Sequence, residues 1–165
     1  MSLTNNDVQL YYEVTGSGVP VVFVHEFAGE HASWANQVEY FSKKYQAITY
    51  NARGYPPSDV PESEKSYSQD IAVQDILSIL DELNIEKAHI VGLSMGGYAT
   101  LLFGIQFPER CLSITVAGVG YGSTKDRSNF EKDAEHVANR ILQEGIEKFG
   151  DIYTVSATRV QLQNK

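Results

Sequence analysis

Apolar residues recur along this chain in short runs that have the length of β-strands. Residues 8–14 alternate between apolar and polar side chains, which predicts a strand buried on one face. Residues 19–24 are apolar throughout apart from one proline, which is typical of a strand buried on both faces. Further runs of strand length occur at about 47–50, 88–91 and 112–119.

Helical patterns separate these runs. They cover about 31–43, 69–83 and 95–106, and the middle one places its apolar residues on one stripe, formed by Ile71, Ile76, Ile79, Leu80 and Leu83. Strands that alternate with helices predict an α/β fold with a mostly parallel sheet and helices on both faces. In such folds ligands bind at the carboxyl ends of the strands.

The sequence Gly-Leu-Ser-Met-Gly at 92–96 joins a predicted strand to a predicted helix. In this setting G-x-S-x-G is a nucleophile elbow, because the sharp turn exposes the serine hydroxyl at the end of the sheet. Glycines are needed at 92 and 96, where a side chain would meet the neighbouring strand or helix. The alternative is a turn with an unreactive serine. Agreement of strand, turn and helix favours Ser94 as a nucleophile.

Two more segments follow predicted strands, His-Glu-Phe-Ala-Gly at 25–29 and Asn-Ala-Arg-Gly-Tyr-Pro-Pro-Ser-Asp at 51–59. In this order, the three motifs resemble the α/β-hydrolase superfamily, specifically the N-terminal part of its esterase-like and lipase-like members. The resemblance implies that the backbone N–H groups of Phe27 and Met95 form an oxyanion hole. His25 and Glu26 are candidates for substrate contacts, although the commoner role of His25 in this motif is to orient the loop. Tyr98 is a candidate for lining the substrate pocket, and core packing is the favoured alternative for this residue.

Two residues depart from the family pattern. Glu26 stands where glycine is usual, and a carboxylate about 4 Å from an oxyanion would be repelled by roughly 1 to 4 kcal/mol, whereas one turned outward would cost nothing. Asn51 replaces an aspartate, and we interpret it, with Pro56 and Pro57, as part of a structural surface turn.

The family orders its triad as serine, then an acid, then a late histidine. Only His136 follows Ser94, in a charged helical pattern at 126–142 that resembles the lid of the family, and we expect it to face solvent. The segment 120–124 contains no carboxylate, and Asp126 is the first acid after it. We therefore expect the front part of a longer hydrolase, inactive alone, with its core at 1–124 and the start of a helical lid at 125–165.

Composition narrows the class of protein further. The 165 residues are 42% hydrophobic and carry a net charge of −8, which disfavours nucleic acid and anionic membranes as partners. The single cysteine, Cys111, is expected to pack at the start of the last strand. No leader segment is recognised, so a cytoplasmic location is expected. A zinc HExxH motif fails because Gly29 occupies its second histidine position, and neither a metal nor a cofactor is predicted.

The leading hypothesis is a serine hydrolase that cleaves a small ester or a related acyl or carbon–carbon substrate. A catalytically silent fragment or binding module is the alternative from another class, and a cofactor-independent lyase or oxygenase on the same fold stays open. The strand after Cys111 is expected to have an unpaired edge and to promote self-association.

Overall fold

The computed structural model describes residues 2–5, 8–119 and 128–156. The chain divides into two compact units, Met1–Val119 and Gly120–Lys165. The predicted boundary between core and lid, after residue 124, lies in the segment 120–127, outside the described residues, as does Asp126, the first carboxylate after the last predicted strand. The assignment of residues 125–165 to a lid stays a prediction.

The described part of the first unit contains six strands and three α-helices. The strands are β1 Ser2–Asn5, β2 Val8–Thr15, β3 Val19–Val24, β4 Tyr45–Tyr50, β5 Ala88–Leu93 and β6 Cys111–Ala117. The helices are α1 Ala35–Phe41, α2 Gln69–Glu82 and α3 Met95–Gln106, with short 3₁₀ turns at His31–Trp34, Glu64–Ser66 and Pro108–Arg110.

The strands form one sheet in the order β1-β2-β4-β3-β5-β6. The pairs β1–β2 and β2–β4 are antiparallel, whereas β4–β3, β3–β5 and β5–β6 are parallel. The predicted α/β fold with a mostly parallel sheet is therefore confirmed. Among the described strands, β6 lies at one edge and pairs only with β5.

The core occupies both faces of the sheet because successive side chains of a strand point to opposite sides. On β3, Val22 and Val24 belong to the cluster that includes the buried residues of α2 and α3. Val21 and Phe23 belong to a second cluster, which includes Trp34 and the partly buried side chains of α1. Burial on both faces explains the continuous apolar run of β3.

The second unit contains two described helices, α4 Ser128–Glu144 and α5 Ile146–Thr154. Arg140 pairs with Glu144 at 2.8 Å on one face of α4, and its guanidinium lies 5.5 Å from the ring centroid of Phe149 on α5. His136 is exposed, as expected. Within the described residues, no helix has both the length and the apolar character needed to cross a membrane.

Candidate active site

Ser94 lies at the sharp turn between β5 and α3. Its backbone has φ +52° and ψ −115°, a conformation that side-chain-bearing residues adopt at a cost and that occurs at functional sites. Its N–H donates to the carbonyl of Ala117 at 2.8 Å, and its own carbonyl accepts from the N–H of Tyr98 at 3.0 Å. The residue is exposed, and its hydroxyl does not cap α3. A nucleophile elbow has the same sharp turn and exposed serine, and the role of Ser94 as a nucleophile stays a prediction.

The two glycines of the motif leave no room for a side chain. A Cβ at Gly92 would lie 2.3 Å from the carbonyl oxygen of Gly96 and from Oγ1 of Thr100. A Cβ at Gly96 would lie 2.3 Å from the carbonyl oxygen of Val24 and 2.5 Å from that of His25. The close approach expected at both positions is confirmed, and it holds the elbow tightly against the end of β3.

The loop after β3 lies beside the elbow. Val24 is the register partner of Gly92 in the parallel pair β3–β5, so the carboxyl ends of these two strands lie side by side. The loop turns at once, because the N–H of Gly29 donates to the carbonyl of Glu26 at 3.0 Å. Ala28 has φ +56°, as the third residue of a type II turn requires. Phe27, the second residue of this turn, is 38% exposed.

The two predicted oxyanion donors are Phe27, in the turn after β3, and Met95, at the start of α3. Met95 is the first residue of α3, and an N–H at this position has no acceptor within its own helix. The positive end of the helix dipole favours negative charge at the same place. Tyr98, on the first turn of α3, is 37% exposed rather than packed in the core. The roles of Phe27, Met95 and Tyr98 toward a substrate stay predictions.

His25 joins the loop after β3 to the loop after β4 through two hydrogen bonds. It is 1% exposed, its Nε2 accepts from the N–H of Ala52 at 3.0 Å, and its Nδ1 lies 2.8 Å from the carbonyl oxygen of Glu26. Because Nε2 is an acceptor, Nδ1 carries the proton and donates to Glu26. Burial lowers the pKa of His25, which favours this neutral form. The contacts correspond to loop orientation, and the predicted substrate contact is untested.

The carboxylate of Glu26 folds back over its own turn. A Cβ at Gly29 would lie 2.6 and 2.9 Å from the two carboxylate oxygens of Glu26. The side chain is half-buried. The extra carboxylate therefore lies in the space beside Gly29 that a side chain at residue 29 would otherwise occupy.

Asn51 joins the far end of the same loop to the end of β4. Its Oδ1 accepts from the backbone N–H of His31 at 2.7 Å and lies 2.8 Å from Nδ1 of His31, while its Nδ2 donates to the carbonyl of Pro56 at 2.7 Å. Asn51 is fully buried, so the interpretation as part of a surface turn is wrong for this residue, whereas Pro56 and Pro57 are exposed in a turn. The reason is tertiary: the loops after β3 and β4 meet at this side chain and exclude water from it.

A buried ion pair that the motifs did not predict anchors the loop after β4 to α2. Arg53 donates through Nε and Nη2 to the two carboxylate oxygens of Asp75, at 2.8 and 2.6 Å. Their side chains are 6% and 2% exposed. The one sequence signal is Asp75 itself, which falls on the buried face of α2 and so required a partner.

The other sequence candidates lie apart from the elbow turn. His89 is on β5, with Nδ1 2.7 Å from Oγ of Ser113. Cys111 begins β6 and packs against the core, as expected. A pocket of about 360 Å³ near Asp81 and Arg110 lies where β5 and β6 begin, at the end of these strands opposite Ser94. None of the predicted site residues lines it. No group of potential metal ligands occurs among the described residues.

Comparison with known proteins gives matches that cover only part of longer chains. 3-Oxoadipate enol-lactonase 1 of Acinetobacter baylyi is 43% identical over 97 residues, which are 59% of this chain and 35% of that protein. Epoxide hydrolase 4 of Mus musculus is 29% identical over 116 residues, 69% of this chain and 32% of that protein. The chain thus spans about a third of the length of these curated relatives.

The solved structures agree with this picture. The crystal structure of the enol-lactonase from Burkholderia xenovorans matches with a TM-score of 0.81 at 23% identity, over 93% of this chain and 58% of that one. At this identity the match shows the fold alone. The family model for the alpha/beta hydrolase fold matches residues 19–149, which include the elbow and both loops. The chain therefore belongs to the α/β-hydrolase fold family.

Proposed function

We propose that this chain carries the nucleophile and the oxyanion hole of a serine hydrolase that acts on a small ester or lactone. The observation that supports the proposal best is the backbone of Ser94, with φ +52° at the carboxyl end of β5 and directly beside the turn 26–29. In the proposed reaction the Ser94 hydroxyl attacks the substrate carbonyl carbon. The N–H groups of Phe27 and Met95 then stabilise the oxyanion of the tetrahedral intermediate.

The reaction needs a base to accept the proton of Ser94. His25 donates to the carbonyl of Glu26 and accepts from the N–H of Ala52, while His31 is hydrogen-bonded to Asn51 and His89 to Ser113. We propose that the base and its acidic partner come from residues outside this chain, as the family order of the triad implies. The 165 residues alone are then a poor catalyst.

The names of the relatives bear on the type of substrate. One relative is named for opening an enol-lactone and another for opening an epoxide. A serine nucleophile suits the lactone better, because its attack on a carbonyl gives an acyl ester that water can hydrolyse, whereas its attack on an epoxide carbon would give a stable ether. We therefore propose acyl transfer to water rather than epoxide opening for the longer protein.

Active-site labelling tests the proposal. Removal of one member of a triad typically leaves a residual acceleration of roughly 10³- to 10⁴-fold over water, from the oxyanion hole and binding. We expect slow or no reaction of the 165-residue chain with a fluorophosphonate probe, read by intact mass. The longer protein that we propose should react rapidly, and only at Ser94.

Two variants act as controls. Ser94→Ala should abolish labelling of the longer protein, whereas His136→Ala should leave its rate unchanged. Rapid labelling of the short chain that depends on His136 would contradict the proposal, because His136 would then be the base. A longer protein that does not label at Ser94 would favour the silent binding module.

A further inference from the structure

The end of strand β6 is hydrogen-bonded to the turn that carries Ser94. The N–H of Ser94 donates to the carbonyl of Ala117 at 2.8 Å, one residue beyond the last register pair of β5 and β6, Leu93 with Ala117. This bond therefore extends the parallel ladder as far as Ser94 itself. Because φ is the rotation about the bond from this nitrogen to Cα, a fixed N–H restrains the Cα that bears the hydroxyl.

The chain turns across the elbow directly after Ala117. Gly118 has φ +66°, a left-handed conformation that glycine adopts without a side-chain penalty. A Cβ at Gly118 would lie 3.2 Å from Cδ1 of Leu93 and 3.7 Å from the backbone nitrogen of Ser94. Residues 117–119, which we call the β6 end segment, thus lie against the turn that carries Ser94.

Gly97 makes room for the β6 end segment on the first turn of α3. A Cβ at Gly97 would lie 2.7 Å from Cγ2 of Val119, 2.8 Å from the carbonyl oxygen of Ala117 and 3.1 Å from that of Gly92. The Ala117 oxygen is the one that accepts the N–H of Ser94. A side chain at residue 97, which lies outside the G-x-S-x-G motif, would therefore press on the acceptor that holds Ser94.

We propose that Ala117 is a positioning residue for the nucleophile. Its main-chain carbonyl, held in place by the contact between the β6 end segment and Gly97, fixes the direction of the Ser94 hydroxyl at the N-terminus of α3. The inference rests on the proposed function, because it assumes that Ser94 reacts. It adds that the end of β6, and not only the loop after β3, controls the geometry of the site.

A thiol at residue 94 reports this geometry in the 165-residue chain without the proposed base. The test uses Ser94→Cys, with Cys111→Ala in every variant so that one thiol remains. The N-terminus of α3 should lower the pKa of this thiol below the ordinary value of about 8.5, and the pH dependence of alkylation by iodoacetamide measures it. Adding Gly97→Ala should raise this pKa by about 0.5 to 1 unit, which lowers the thiolate fraction at neutral pH about three- to tenfold.

Gly104→Ala is the matched control. It adds the same methyl group to the same helix, where the Cβ would lie 2.9 Å from Cδ1 of Ile114, the end of a β6 side chain rather than the backbone. It should leave the pKa of the thiol unchanged. In chains that keep Ser94, the scalar coupling across the hydrogen bond, from its ¹⁵N to the carbonyl ¹³C of Ala117, should persist in Gly104→Ala and vanish in Gly97→Ala.

Val119→Ala is the second variant, for the case that Gly97→Ala does not fold. It removes the methyl group of the β6 end segment that lies nearest to the space beside Gly97, so it should also raise the pKa of the thiol. Val116→Ala shortens a 37% exposed side chain of β6 and should not.

The outcomes separate the inference from the proposed function. A thiol pKa that is not lowered before Gly97→Ala, or that does not rise in Gly97→Ala (in Val119→Ala if that variant does not fold), would overturn the role of Ala117. Absence of the scalar coupling in the wild type, or equal pKa shifts in Gly97→Ala and Gly104→Ala, would overturn it too. A longer protein that does not label at Ser94 would instead refute the proposed function and leave these pKa shifts as they are.

Discussion

At the scale of single residues, the backbone of Ser94 is the feature most open to measurement. Its φ of +52° and ψ of −115° cost on the order of 1 to 3 kcal/mol for a residue with a Cβ, whereas glycine adopts positive φ freely. Glycine also costs roughly 0.5 to 1 kcal/mol in backbone entropy. We predict that Ser94→Gly raises the free energy of unfolding by about 1 kcal/mol.

Ser94→Ala is the control for this prediction, because it removes the same hydroxyl but keeps the Cβ. No cap hydrogen bond is lost in either variant, so Ser94→Ala should unfold at the wild-type urea concentration. Equal stability of the two variants would mean that the elbow stores no measurable strain.

His25 links the site to pH. Burial lowers its pKa in the folded chain below the value of about 6.5 found in an unfolded one. The unfolded state therefore binds more protons below that pH, and stability falls as the pH decreases toward the folded pKa. We predict that the free energy of unfolding of the wild type, measured with urea, decreases by up to about 1.4 kcal/mol per pH unit below pH 6.5.

The matched variants are His25→Gln and His136→Gln. His25→Gln should be less stable than the wild type at pH 7.5, but its free energy of unfolding should decrease less than that of the wild type between pH 7.5 and pH 5.5. His136→Gln removes an exposed histidine and should keep the wild-type dependence. An equal decrease in unfolding free energy between pH 7.5 and pH 5.5 in the wild type and in His25→Gln would show that groups other than His25 cause the pH dependence.

Local sequence predicted some of these residues well and others poorly. Ser94 and its two glycines were predictable because the turn, the strand and the helix that define them are neighbours in sequence. The contact between His31 and Asn51 was not, because it joins residues twenty positions apart in two different loops. A polar side chain shows its burial only when its partner is known.

At the scale of elements, the pair between Arg53 and Asp75 holds the loop after β4 on α2. Removal of one member of a buried pair leaves an uncompensated charge and costs about 3 to 5 kcal/mol. We predict a loss of this size in unfolding free energy for Asp75→Asn, measured by urea unfolding.

The exposed pair between Arg110 and Asp81 provides the comparison. It has a similar distance of 2.7 Å, but the Asp81 side chain is 59% exposed. Asp81→Asn should therefore cost less than about 1 kcal/mol. Similar losses for the two aspartate variants would refute the difference that we assign to burial.

The elements themselves were largely predictable from periodicity. The patterns at 69–83 and 95–106 became α2 and α3 nearly to the residue, because each has an apolar face that packs on the sheet. The pattern at 31–43 instead divides into a 3₁₀ turn and a short α1 that ends at Phe41. Strand β1 was missed because Ser2–Asn5 is mostly polar and is defined by its pairing with β2.

At the scale of the whole molecule, the sheet order β1-β2-β4-β3-β5-β6 shows the limit of sequence reasoning. Alternating elements predicted a parallel sheet, but not which strands are neighbours. That order brings the ends of β3 and β5 together, and so places the start of the loop after β3 beside the elbow turn. Only the motif order, through the family resemblance, could indicate this arrangement in advance.

The edge strand β6 leads to the last prediction. In the described part of the chain it pairs only with β5, and Leu112, Ile114 and Val116 are 47%, 38% and 37% exposed. An apolar strand with an unpaired edge is a template for another chain. We propose that the 165-residue polypeptide self-associates, and sedimentation velocity over a concentration series should show a mass that rises above 18.3 kDa.

Charge on this edge should prevent the association, because lysine resists burial against a second strand. We predict that Leu112→Lys raises the Kd of self-association at least about tenfold, which corresponds to roughly 1.4 kcal/mol. Val60→Lys is the control, since it adds the same charge at a loop residue that is 57% exposed. A wild type that stays monomeric at all concentrations would refute the proposal, and equal effects of the two lysines would assign the association to net charge rather than to β6.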